Sequence, residues 1–191
     1  MEIVYSQTTE SDLTIPFRNI LNIAGADLTD PHLEETPKRL AKMYLEIFSK
    51  KIPVRYTLFP NPSDGKETHS QMILLENISF TSWCSHHLLP FVGIANIAYI
   101  PKGYLVGLSK IPYCVDYHAN NPQVQERLTE DIGNELWEKI SPQGLIVHLV
   151  SQHDCVSCRG VRKQNVAMQT CKIWGNIDKN EFFNSLGRKH D

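Results

Sequence analysis

The stretch SWCSHHLLPFVG, Ser82 to Gly93, sets Cys84, His86 and His87 beside Leu88, Leu89, Pro90 and Phe91. Thiol and imidazole groups crowded into so apolar a neighbourhood read in one of two ways. The segment is an ordinary buried turn, or it is half of a metal site. Cys84 and His87 form a C-x-x-H pair, a spacing that lets one turn present both side chains to a single ion. Strand-like runs stand on either side, QMILLENISF before it and VGIANIAYI after it.

The other half has to come from elsewhere, and SQHDCVSCRGVRKQ supplies the second dense cluster of soft ligands, with His153, Cys155 and Cys158. Zn²⁺ takes thiolate sulfur and imidazole nitrogen in a tetrahedron, and a catalytic site leaves one position to water. Cys84, His87 and Cys155 can form such a triangle, with His86 and His153 lining it. Two rival readings stay open. One is core packing, since free cysteine is among the most buried residue types. The other is a closed structural site from Cys84, His87, Cys155 and Cys158, although a domain of this size has a core that needs no metal to replace it. Cys114 and Cys171, isolated in their segments, read as core residues.

A chain of 191 residues suits a single domain, 1–191, with a helical N-terminal part over 1–50 and a core over 70–191. That length buries roughly 70% of the surface exposed when unfolded. Hydrophobic residues make up 41% and charged residues 21%, and the formal charge is −2, which gives no general case for nucleic acid or an anionic membrane as partner. The first twenty residues lack the basic start and apolar centre of a signal peptide, and no run reaches the ~18 apolar residues of a membrane span. Five cysteines in such a chain point to a reducing cytoplasm, with thiols or metal ligands rather than disulfides.

Along the chain, a helix is expected from roughly Leu13 to Gly25. A clearer one has Thr36 as N-cap and Pro37 at its first position, with Leu40, Met43, Tyr44, Ile47 and Phe48 on one face. Arg39 and Lys42 lie on its polar flank. NPSDGKE reads as the chain's most mobile loop. VGIANIAYI and YLVGLSKI, separated by Pro101, Lys102 and Gly103, predict a hairpin, followed by a short helix from near Ser109. Pro122 is expected to open a helix with Val124, Leu128, Ile132, Leu136 and Ile140 on one stripe. GLIVHLVSQ is an apolar strand, and another is expected between Val161 and Trp174. Asp178 and Glu181 have capping-box spacing before a last helix, with Gly187 as its stop. Strands in the middle with helices on one side make the class α+β.

SWCSHHLLPFVG, GLSK, PQVQERLT and HDCVSCRG, in this order, resemble the signature segments of GTP cyclohydrolase I, and ETPKRLAKMY resembles a helix of that family. The likeness runs from about Asp12 to Gly160 and continues more weakly to the C-terminus. It implies a tunnelling fold (T-fold): an antiparallel sheet with helices on one face, assembling into an oligomeric β-barrel. Five subunits of the family close a barrel, and two rings stack into a homodecamer with active sites between subunits, which suits an open sheet whose edges need partners. The implied reaction converts GTP and water to 7,8-dihydroneopterin triphosphate and formate. That product feeds folate, biopterin and deazaguanine routes alike.

By the same resemblance, Cys84, His87 and Cys155 bind Zn²⁺, which activates water for attack at C8 of the purine. His153 is the general acid at N7 and His86 a second catalytic histidine, roles that suit a near-neutral imidazole. Glu126 accepts hydrogen bonds from guanine N1–H and the 2-amino group, and Gln125 lies in the same pocket. Ser109, Lys110, Arg39, Lys42 and Arg159 match triphosphate-binding positions.

The chain departs from the family pattern in four places. Ser85 stands where glutamate is usual in Cys-Glu-His-His. Tyr113 replaces an arginine of the phosphate pocket. HANNPQ lacks the basic residues common before its proline, and RKQNVAMQTCKIWG differs from the Ser/Thr-rich strand that usually follows Arg-Gly. These departures leave three alternatives: a divergent GTP cyclohydrolase I, a paralogue acting on another guanine nucleotide or stopping after ring opening, and a non-catalytic guanine-nucleotide-binding subunit.

Overall fold

The computed structural model describes residues 9–49, 51–62 and 71–187. Residues 63–67 of the expected NPSDGKE loop lie outside them. The chain divides into two compact units, Met1–Lys50 and Lys51–Asp191.

The first unit is a helix pair. Helix α1 (Glu10–Ile23) starts ahead of the expected Leu13 because Thr9 and Asp12 form a capping box. The Asp12 carboxylate accepts from the Thr9 backbone N–H at 2.7 Å and from its hydroxyl at 2.7 Å, satisfying a donor that the helix leaves open. Helix α2 (Thr36–Ile47) has Glu35 at its cap, so Thr36 is its first residue rather than the N-cap and Pro37 follows within the first turn. Pro37, Ala41 and Ile47 are buried, and Tyr44 packs against Phe17 of α1 with ring centroids 4.9 Å apart.

The second unit runs β1 (Leu58–Pro60), β2 (Ile73–Cys84), β3 (Pro90–Ile100), β4 (Tyr104–Val106), α3 (Lys110–Ala119), β5 (Pro122–Gln123), α4 (Gln125–Ile140), β6 (Gly144–His153), α5 (Asp154–Ser157), β7 (Ala167–Gly175) and α6 (Lys179–Ser185). Five strands form one sheet in the order β5-β2-β3-β6-β7, antiparallel apart from the short parallel pair β5–β2. This is the expected α+β arrangement with a largely antiparallel sheet.

Two local expectations are corrected. The hairpin across Pro101–Gly103 does not form: β3 already has β2 on one edge and β6 on the other, so β4 pairs with β1 in a separate two-stranded sheet. Pro122 does not open a helix. It sits in β5 opposite Trp83, and α4 starts at Gln125 with Val124 as its cap. Proline fits there because β5 is an edge strand.

The side chains of β3 and β6 alternate between two apolar clusters. Ile97, Tyr99, Leu145, Val147 and Leu149 join Leu128, Ile132 and Leu136 of α4, together with Ile111 and Val115 of α3. Each fully buried aliphatic side chain there contributes about 1.5–3 kcal/mol. Ala98 and Ile146 face the other way, towards Phe182 of α6. Gly133 lets α4 approach β7, for a Cβ at that position would fall within the Trp174 indole. Cys114 is buried as expected, but Cys171 is exposed, because β7 is the last strand of the sheet and only β6 flanks it.

Candidate metal centre and active site

Register brings the two soft-ligand clusters together. Phe91, just past the SWCSHHLL turn, is the cross-strand partner of His153 at the end of β6. The chain therefore leaves β2 at Cys84, turns through His86 and His87, and re-enters β3 beside the residues that lead into α5. The turn folds on Cys84 itself. Its N–H donates to Leu89 O at 2.8 Å, and its carbonyl accepts from the N–H groups of Leu88 at 2.8 Å and His87 at 3.2 Å. Leu88 adopts φ 51°, a left-handed conformation that costs energy for a branched side chain. The Ser85 N–H donates to Gln123 O at 2.9 Å, fastening the turn to β5. Arg127 strengthens that link by donating to Gln123 Oε1 at 2.7 Å and Ser85 Oγ at 3.5 Å.

Both histidines of the turn place Nδ1 3.8 Å from Cys84 Sγ. Proximity to Cys155 separates them: Cys84, His87 and Cys155 have ligand atoms all within 4.8 Å of one another, and His86 stands outside that group. Bonds of about 2.3 Å to sulfur and 2.0–2.1 Å to nitrogen around a tetrahedral ion imply a sulfur–nitrogen separation of about 3.6 Å. The observed 3.8 Å fits with little movement. Cys84 is buried, Cys155 half-buried and His87 exposed, so one side of the triangle opens outward. Burial, followed by the neighbouring Cys84 thiol, pushes the Cys155 thiol up. A cation held between the two sulfurs would offset that cost by favouring the Cys155 thiolate. Cys158 is exposed at the end of α5 and is not part of the group.

Cys114, His118 and Glu135 also bring ligand-type atoms within 4.8 Å. There the polar groups already satisfy each other. His118 Nε2 lies 2.7 Å from Glu135 Oε2, the Tyr56 hydroxyl donates to Glu135 Oε1 at 2.9 Å, and the Cys114 thiol donates to Ile132 O at 3.9 Å. Burial pushes the Cys114 thiol up to about 12, so it stays protonated. This cluster is a closed hydrogen-bond network that joins α3, α4 and Tyr56.

His153 stacks on Phe91, with centroids 4.5 Å apart and planes 3° apart, and places Nε2 2.9 Å from Gln125 Oε1. Burial holds its pKa below the ordinary imidazole value, and the charge of Glu126 opposes this. Glu126 is exposed in the first turn of α4. Gln125, next to it, is 1% exposed and turned into the protein. Arg159 is exposed, and its charge acts on the Cys155 thiol. Ser109 caps α3, and Lys110 follows with Nζ 5.8 Å from the centroid of the Tyr113 ring. Arg39 and Lys42 are exposed on α2 of the first unit, where Lys42 pairs with Glu10 at 3.7 Å. Neither the Phe91 stack nor the Gln125 contact was foreseeable from spacing; the one hint was an aromatic residue beside the ligand turn.

The GTP cyclohydrolase I family model matches residues 14–186. The chain belongs to that family. It is 39% identical over 178 residues to GTP cyclohydrolase 1 of Lactiplantibacillus plantarum, covering 90% of this chain and 93% of the relative. It is 41% identical over 163 residues to the enzyme of that name from Clostridium perfringens, covering 85% and 86%. Identity to the Carboxydothermus hydrogenoformans GTP cyclohydrolase 1 is 40% over 169 residues, covering 85% and 84%. A crystal structure of the archaeosine synthase QueF-Like in the apo form overlaps 59% of this chain and 100% of its own, with TM-score 0.48 and 16% identity. Family membership thus meets a site whose soft donors already converge.

Proposed function

We propose that this protein hydrolyses GTP to 7,8-dihydroneopterin triphosphate and formate, with Cys84, His87 and Cys155 holding Zn²⁺. The observation that carries this reading is the convergence of two thiols and one imidazole within 4.8 Å beside His153, in a chain that matches the family along most of its length. Two sulfurs and one nitrogen are a donor set that suits zinc and leaves a fourth position for water or substrate. A zinc ion held there supplies Lewis-acid activation of water near neutral pH.

The chain's own groups do the rest. Glu126 presents a carboxylate to the paired N–H donors of guanine, a pattern that adenine lacks. His153, held flat against Phe91, carries the proton needed at the imidazole ring of the base. His86, next to His87 in the turn, is the second proton carrier. Ser109, Lys110 and Arg159 take the triphosphate, guanidinium forks and ammonium groups both pairing with phosphate oxygens. The assembly is a homodecamer of two pentamers with sites between subunits, working in the cytoplasm. No helix among the described residues is long and apolar enough to cross a membrane.

The test is to incubate the zinc-loaded protein with GTP and follow formate and the pterin fluorescence of the oxidised product together. Both signals, abolished by a chelator, are expected. Formate without pterin would replace this reading with an enzyme that stops after ring opening. The absence of both signals, with zinc bound, would overturn it.

A further inference from the structure

Gln125, the first residue of α4, is almost wholly buried, at 1% exposure. Its carboxamide nitrogen lies 3.3 Å from Leu149 O, 3.2 Å from Met168 O and 3.2 Å from Thr170 Oγ1. Its oxygen faces Ser151 Oγ at 2.6 Å and His153 Nε2 at 2.9 Å. A backbone carbonyl can only accept, so the end of the amide facing two carbonyls must be the NH₂. The opposite end is then oxygen, which also only accepts. His153 Nε2 must therefore carry a hydrogen.

We propose that Gln125 is a positioning residue that fixes His153 as the Nε2–H tautomer, so that His153 exchanges protons with a substrate through Nδ1 alone. The side chain has no capacity left for a nucleobase. Ser151 and His153 use both lone pairs of its oxygen, and the carbonyls of Leu149 and Met168 take its two hydrogens. Thr129 steadies the arrangement, since its hydroxyl donates to Gln125 O at 2.9 Å and lies 2.6 Å from Thr170 Oγ1. A half-turn of the His153 ring would set a carbon against Gln125 Oε1 and lose the bond, so the orientation is fixed as well as the tautomer. Acid catalysis from this arrangement starts from the imidazolium. The Nδ1–H bond breaks, its electron pair stays on Nδ1, the proton passes to a nitrogen of the substrate, and Nε2–H is untouched throughout.

The inference deepens the reading of His153 as an acid and rests on it for function, but the tautomer itself can be measured without turnover. Magic-angle-spinning ¹⁵N NMR of the zinc-loaded full chain, labelled at histidine, is recorded at about pH 8.5, well above the ordinary imidazole value of roughly 6.5. The His153 signals are assigned by their loss in His153→Asn. A protonated Nε2 and a bare Nδ1 are expected; a bare Nε2 overturns the proposal. Gln125→Met keeps the volume and removes the acceptor. It is expected to keep its zinc and hold KM for GTP within about twofold, while kcat falls about 10- to 100-fold, the usual cost of losing an orienting partner. A raised KM with unchanged kcat would make Gln125 a substrate contact and overturn the proposal. If that variant fails to fold, the spectrum of the unaltered protein still decides. If the protein proves not to turn over GTP, the spectrum separates that failure from this one.

Discussion

The His153 imidazole lies parallel to the Phe91 ring, 4.5 Å between centroids, because the two are cross-strand partners on β6 and β3. Phe91 is fully buried and meets Phe80 edge-on at 6.1 Å, so one face of His153 is set by the core itself. Phe91→Leu is expected to lower stability by about 0.5–1.5 kcal/mol through the lost ring pairing. Urea unfolding of the zinc-loaded protein measures it, and an unchanged midpoint would count against the stack as a stabilising contact.

His153→Ala removes the proton carrier but none of the three ligand atoms. Metal content is expected to stay at the level of the unaltered protein while turnover falls about 10²- to 10⁴-fold. Near-normal turnover in this variant would take His153 out of the acid role.

Cys155→Ala breaks the triangle at the residue that tells His87 from His86. Loss of zinc and of activity is expected, read by metal analysis after dialysis. Full retention of zinc would bring Cys158 into the site despite its exposure at the end of α5.

Both ligand clusters are legible in the sequence because soft donors are scarce and here stand close together, and because the strand periodicity beside them is strong. That the clusters meet is set by the pairing of β3 with β6, a long-range register that no local pattern displays. The hairpin expected at Pro101–Gly103 shows the same limit. The turn chemistry is present and Gly103 has φ 75°, yet β3 is central and has no free edge for β4. Its true partner, β1, is three residues long with every residue on the exposed side, too short to carry an alternation. Gln125 is the clearest case. The family resemblance places it in the guanine pocket beside Glu126, whereas its side chain's partners lie 24 to 45 residues along the chain, where no local pattern points to them.

Asp116 gives a pH-dependent prediction. Asp116 is exposed on α3, and the partial desolvation it meets beside its neighbours raises its carboxyl pKa above the ordinary value. The folded chain thus favours the neutral acid, so the stability that this group contributes is complete below the unfolded value of about 3.9 and is lost as pH rises through the folded value. Near neutral pH the ionised group opposes folding. Asp116→Asn is expected to raise Tm at pH 7, and the gain should shrink as pH falls towards about 4. Equal Tm values at pH 7 would mean that Lys51 and Arg55, which line the same 380 Å³ cavity, offset the desolvation.

That cavity also frames the departure at Tyr113. Tyr113 and Lys110 line it with Lys51 and Arg55, so the wall where the family usually has an arginine still carries basic groups, although Tyr113 itself brings no charge. Tyr113 is 58% exposed, and an arginine in its place needs no space cleared in the core. A new guanidinium at so exposed a site contributes up to about 1 kcal/mol against a phosphate. Tyr113→Arg is therefore expected to lower KM for GTP about two- to fivefold with kcat little changed, the mark of binding that is uniform between ground and transition states. The effect should fade as salt is raised, because charges exposed to solvent are screened. An unchanged KM at low salt would mean that the basic groups already lining the cavity supply what the tyrosine lacks.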